Sequence, residues 1–171
     1  NGPTADIKVR KALQMAVDRD AMCAALYQYG ECSPAYLPLP PASWGYDESL
    51  EDLVPKYDVE GAKKLLAEAG YPDGFELEYY TSDSASSKKI GEILQQFCAK
   101  VNVKVNIHQA SWGTFSEIGA SGNADAIGMS WTWFPDPYFY LNKMFHEESL
   151  GTFGNGQQFN IPEVNELLDK L

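Results

Sequence analysis

Residues 75–107 read FELEYYTSDSASSKKIGEILQQFCAKVNVKVNI. Phe75-Glu-Leu-Glu-Tyr-Tyr-Thr81 alternates apolar and polar residues, the period of a half-buried strand. Ser82 to Ser87 is a polar connection. Ile90, Ile93, Leu94, Phe97, Cys98 and Val101 then recur at the three-and-four spacing of an amphipathic helix. Val103, Val105 and Ile107 alternate with polar residues and predict a second strand. Strand, helix and strand in this order predict parallel pairing through a crossover connection.

Downstream the pattern repeats. Ser111 is placed to cap a short helix over Gly113 to Ile118, Gly122-Asn123 turns the chain, and Ala124 to Ser130 reads as a third, buried strand. The expected fold class is therefore α/β, a small mixed or parallel sheet flanked by helices. Thr81, Gln109 to Trp112 and Ser130 onward would meet at one edge of that sheet, where ligands of open α/β folds bind.

The third strand runs into Ser130–Tyr140, SWTWFPDPYFY, in which six of eleven residues are aromatic against 13% for the whole chain. Its one charge, Asp136, stands between Pro135 and Pro137. Aromatic faces with one fixed carboxylate suit a solute with flat or apolar parts and one cationic or hydroxyl group. The alternative is that Trp131, Trp133, Phe134 and Phe139 simply fill a core. The prolines favour a site, because they stiffen a loop that would otherwise be ordered on binding. Pro137 fits the first turn of a helix over Tyr138 to His146. A Gly-rich loop follows from Glu147 to Asn160, and Pro162 opens a last helix, Glu163 to Leu171. A domain ending inside a helix reads as part of something longer.

Upstream, Asp6 is placed to cap a helix through Lys8 to Val17, and Asp18 a second from Arg19 to about Gln28, with Gly30 as its stop. Prolines between 34 and 55 exclude a regular helix or central strand there. Asp58 caps a helix over Val59 to Ala69, and Tyr71-Pro-Asp-Gly74 is a turn leading into the first strand.

The chain has 171 residues and a formal net charge of −11, with a pI near 4.5. Its length suits one domain, 1–171. Nucleic acid is excluded as a partner, since phosphate binding needs a basic face. Cys23, Cys32 and Cys98 make no metal-binding pattern. Cys23 and Cys32 can bridge in an oxidising compartment, but the odd count favours buried free thiols. The amino terminus has no apolar signal segment, as in a cytosolic protein or one whose targeting segment lies outside this sequence.

No phosphate loop and no nucleophile elbow occurs, and Gly151-Thr-Phe-Gly-Asn-Gly156 has the wrong order for a dinucleotide fingerprint. His108 and His146 read as surface or core residues. Asp125 opens the third strand and Asp136 lies beyond its end, a separation that argues against a glycosidase pair. The expectation is a binding protein, not an enzyme, with no catalytic residue, metal or cofactor.

Five stretches occur together: KVRKALQMAVDRDAM, YDVEGAKKLLAEAGYPDGFELEYYTSD, VNVKVNIHQASWGTF, ADAIGMSWTWFPDPYFYLNKMF and FNIPEVNELLDKL. In this order they resemble the carboxyl-terminal lobe of the bacterial extracellular solute-binding proteins of family 5, the dipeptide, oligopeptide and nickel group. YD-x-E-x-A-K-x-L-L-A-E-A-G-Y-P-x-G is the most specific part. The resemblance implies a two-lobe periplasmic-binding-protein-like fold of type II, with the amino-terminal lobe outside this sequence. It also implies an ABC importer's substrate-binding component that delivers a peptide or other small solute to the permease subunits. The location would be extracytoplasmic, with a lipid anchor in the full-length protein. By the same resemblance Trp131, Thr132, Trp133 and Phe134 line the cleft, with Trp112 near it, Ser82 and Ser84 at its rim, and Asp136 in the following turn.

The sequence departs from the peptide-binding pattern. Peptide binders of this group commonly read G-W-x-x-D-Y followed by two residues and Pro, and that Asp holds the ligand's ammonium group. Here Ser130 to Pro137 is one residue shorter, with Trp133 near the Asp position, and Asp136 matches a later, more structural acidic residue. Gly128 stands where some members place a carboxylate-binding Arg. A non-peptide solute, such as an oligosaccharide or opine, is the alternative ligand, and a small glycosidase-like domain the alternative class.

Overall fold

A computed structural model describes residues 2–27, 30, 32–131 and 136–171. Its centre is a three-stranded parallel sheet in the order β2-β1-β3, formed by β1 (Phe75–Ser82), β2 (Val103–Ala110) and β3 (Ala126–Gly128). The helices are α1 (Ile7–Ala16), α2 (Arg19–Leu26), α3 (Val59–Glu68), α4 (Ala85–Ala99), α5 (Trp112–Ser121), α6 (Pro137–Phe145) and α7 (Pro162–Leu168). Helix α4 carries the chain from β1 to β2, and α5 from β2 across to β3.

The strand alternation decides which side of the sheet is core. Leu77, Tyr79, Val103 and Val105 are buried against Val9, Ala12 and Leu66 of α1 and α3, and against Cys98 at the end of α4. The other side of β1 and β2 carries a polar ladder. Lys104 Nζ and Asn106 Nδ2 donate to Glu76 at 3.0 and 2.9 Å, Asn106 also donates to Glu78 at 2.7 Å, and His108 bonds Glu78. Tyr80 stacks on His108 with centroids 4.8 Å apart. His108 is thus a surface residue of the ladder.

Register brings the strand ends together. Thr81 pairs with Gln109 on one side and Gly128 on the other, and Ser82 with Ala110. The convergence expected of Thr81, Gln109 and Ser130 is present. Strand β3 is shorter than expected and only half-buried, because it lies on the sheet edge and pairs with β1 over Tyr79–Thr81 alone. Where β3 is missing, Asp125 Oδ2 accepts the Glu78 N–H at 3.1 Å and satisfies that β1 donor.

Caps follow the aspartates. Asp6, Asp18, Asp58 and Asp136 accept from Lys8, Ala21, Gly61 and Tyr138 backbone N–H groups and open α1, α2, α3 and α6. Four sequence expectations are corrected. Helix α2 ends at Leu26 with Tyr27 extended, before Gly30 is reached. Ser84 caps α4, so half of the expected polar connection is already helix. Helix α5 starts at Trp112, and Ser111 makes no side-chain cap; its hydroxyl donates to Thr114 Oγ1 at 3.3 Å. Helix α7 ends at Leu168.

The cysteines are a fifth correction: Cys23 and Cys32 form a disulfide, Cα atoms 5.5 Å apart. That distance lies in the usual range for a bridge, and the pair brackets the end of α2. Cys98 is free and buried.

The Gly-rich loop is ordered by buried amides. Asn155, fully buried, donates to the carbonyls of His146 and Phe159 at 3.2 and 2.7 Å and accepts from Phe159 N–H at 2.8 Å. Asn165 accepts from Glu147 N–H at 3.1 Å and donates to Asn160 at 3.0 Å. These bonds tie the loop to the ends of α6 and α7. His146, also buried, accepts from Glu148 N–H through Nδ1 at 3.2 Å, a core histidine as expected.

Candidate ligand-binding site

Beyond the carboxyl ends of the strands, three segments meet. Helix α5 supplies Trp112, the chain leaving β3 supplies Ser130 and Trp131, and the Gly-rich loop supplies Phe153. Phe153 is the hub: its ring is 5.2 Å from Trp112, 5.2 Å from Phe115 and 6.1 Å from Trp131, edge-on to the first two. Phe115 is buried and anchors the cluster to the core, whereas Trp112 is 62% exposed.

Phe153 gains its place through a glycine. A Cβ on Gly119 of α5 would lie 2.6 Å from the Phe153 ring, so a larger residue there would push the ring away. Trp112, Trp131 and Phe153 line a cavity of about 330 Å³ together with Lys143 and Thr152. Lys143 Nζ lies 5.5 Å from the Trp131 ring centroid, a cation–π contact. A second hollow of about 430 Å³, lined by Tyr138, Phe139, Asn142 and Ser149, shares Lys143 and Thr152 as its border. A third, of about 230 Å³, lies between α4 and the sheet end and shares Ser130 with the first; Tyr79, Thr81 and Gly128 help line it.

Of the residues expected at the site, Trp112 and Trp131 are brought to one wall. Ser82 and Ser84 lie at the β1–α4 corner, outside these three hollows. There Ser84 Oγ accepts the Ser87 N–H at 3.1 Å, and Ser82 and Ser84 both bond Ser87 Oγ at 2.8 Å. Asp136 Oδ1 accepts the Tyr138 N–H at 2.9 Å and caps α6. Thr132, Trp133 and Phe134 lie outside the described residues. Phe153, Lys143 and Thr152 were missed. A lone Phe inside a glycine-rich run was the available signal for Phe153, since such a loop has little else to bury.

The chemistry on offer is recognition. Aromatic faces, hydroxyls at Ser130 and Thr152 and one ammonium can hold a small solute. Among the described residues no cluster of three or more His, Cys, Asp or Glu is arranged to hold a metal ion. No described helix is long and apolar enough to cross a membrane.

Residues 1–151 match the model of the bacterial extracellular solute-binding proteins, family 5 Middle. The chain belongs to this family. Among family 5 relatives, Heme-binding protein A of Haemophilus influenzae is 34% identical over 174 residues, 98% of this chain and 31% of that protein. The Dipeptide-binding protein of Escherichia coli is 35% identical over 135 residues, 76% of this chain and 25% of that protein. A solved structure, the ABC transporter-associated periplasmic binding protein DppA from Helicobacter pylori in complex with peptide STSA, superposes with a TM-score of 0.89 at 26% identity. That match covers 99% of this chain and 33% of the other. The fold is thus that of part of a periplasmic binding protein, and the matches span about a quarter to a third of the length of these relatives.

Proposed function

We propose that this chain is the carboxyl-terminal, ligand-facing lobe of the substrate-binding component of an ABC importer. It captures an oligopeptide or similar small solute between two lobes and presents it to the membrane permease. The observation that carries this reading is the Trp112–Phe153–Trp131 wall beyond the carboxyl ends of the parallel strands, in a family 5 chain. A cleft that buries most of its ligand needs such an aromatic wall on one side and a second wall opposite. In this reading Trp131 and Trp112 belong to the cleft wall, and Thr132, Trp133 and Phe134 are further ligand contacts. Ser82 and Ser84 stand at the rim, and Asp136 holds the turn. The Cys23–Cys32 disulfide supports an extracytoplasmic location, where such bonds persist.

A flat, non-peptide solute is the second reading, favoured by the likeness to Heme-binding protein A along nearly the whole chain. One experiment tests both. The full-length protein, purified without added ligand, is analysed by mass spectrometry under native and denaturing conditions. Calorimetry then follows with short peptides and with haemin. Saturable peptide binding without turnover is expected. Haemin binding alone would replace the peptide reading with the second. Product formation, or no binding of either class, would overturn the importer role.

A further inference from the structure

We infer that the solute taken at this wall carries a carboxylate next to an aromatic or apolar group, and that Lys143 is the residue that recognises it. This rests on the solute-binding reading above and narrows it. The chain has 24 acidic residues against 13 lysines and arginines, and an acidic surface repels anions. Yet among the described residues neither of the two adjoining hollows is lined by Asp or Glu. Their shared border carries the ammonium of Lys143 and the hydroxyl of Thr152. Among the described residues Lys143 pairs with no carboxylate. Its ammonium instead lies 5.5 Å from the centroid of Trp131, which positions the charge without neutralising it.

The geometry gives each half of such a solute a place. The apolar half packs against Trp112, Phe153 and Trp131, and the carboxylate reaches the ammonium on the border. Displacing water with aromatic surface lowers the local dielectric and strengthens that attraction. A free carboxyl end of a short peptide has this chemistry. The amide of the same peptide keeps the shape and loses the charge.

Two matched mixtures of short peptides, each peptide with one aromatic side chain, test this. One mixture has free carboxyl ends and the other is amidated. Each is equilibrated with the full-length protein and the retained peptides are counted by mass spectrometry. The wild type is expected to retain free acids about tenfold better than amides, the scale of one charged hydrogen bond. Lys143→Met, which keeps the side chain's stem, removes that preference, and Lys143→Arg keeps it. Equal retention of acids and amides by the wild type, both lost in Trp131→Ala, overturns this inference and leaves the solute-binding reading standing. An unchanged preference in Lys143→Met overturns it as well. Retention of neither mixture overturns the peptide reading and this inference together.

Discussion

The Tyr79 hydroxyl stands where a side chain at residue 128 would have to go: a Cβ on Gly128 would meet Tyr79 Oη at 1.7 Å. Tyr79 itself is buried, from the core-facing side of β1. The two positions are therefore coupled across the β1–β3 pair. Gly128→Ala is expected to cost about 1–3 kcal/mol, the usual range for overpacking. Tyr79→Leu should recover part of that loss in the double variant, although alone it is destabilising. Urea denaturation of the four proteins measures the coupling. Strictly additive effects would show that the two side chains do not compete for this space.

Phe153 and Trp112 share one aromatic contact but differ in burial, so their truncations should separate affinity from stability. Phe153→Ala removes packing against buried Phe115 and is expected to lower stability by about 3 kcal/mol and affinity with it. Trp112→Ala, at 62% exposure, should leave the melting temperature nearly unchanged. In the full-length protein it should weaken solute binding by about 1–3 kcal/mol, as for an aromatic anchor. Full affinity in Trp112→Ala would remove that residue from the site.

Asp136 bonds the Tyr138 N–H, and this predicts a bracing role. Asp136→Ala should cost about 1 kcal/mol of stability, the usual value of an N-cap, and Asp136→Asn much less, since Asn caps as well. Solute affinity of the full-length protein should be retained in both. A large affinity loss in Asp136→Asn with unchanged stability would assign the carboxylate to the ligand instead.

The three cysteines should behave in two ways. The Cys23–Cys32 bridge closes a loop with a sequence separation of 9. Reducing it, or replacing both with Ser, is expected to cost about 2–3 kcal/mol on the loop-entropy estimate. Burial pushes the Cys98 thiol up from 9.0 to about 11. At pH 8 it should resist thiol reagents in the folded protein and react on unfolding. Its preference for the protonated form favours the fold fully below about pH 9 and is lost as pH rises through about 11. Rapid labelling of the native protein at pH 8 would contradict this burial.

Sequence alone determined the strand–helix–strand core, because period-two and three-and-four spacings over residues 75–107 admit few other structures. It also determined the aspartate caps, the convergence of strand ends, and family membership through the quoted motifs. Three-dimensional packing decided the rest. Strand β3 shrank to Ala126–Gly128 because an edge strand with one neighbour pairs only where that neighbour offers free groups. Cys23 and Cys32 bonded because packing holds their Cα atoms 5.5 Å apart, which an odd cysteine count does not reveal. Phe153 and Lys143 reached the wall from a glycine-rich loop and from α6, held there by Asn155, Asn165 and the bare surface of Gly119. No local pattern marks such residues: their place depends on buried amides and missing side chains elsewhere in the chain, and those contacts exist only once the whole domain has closed.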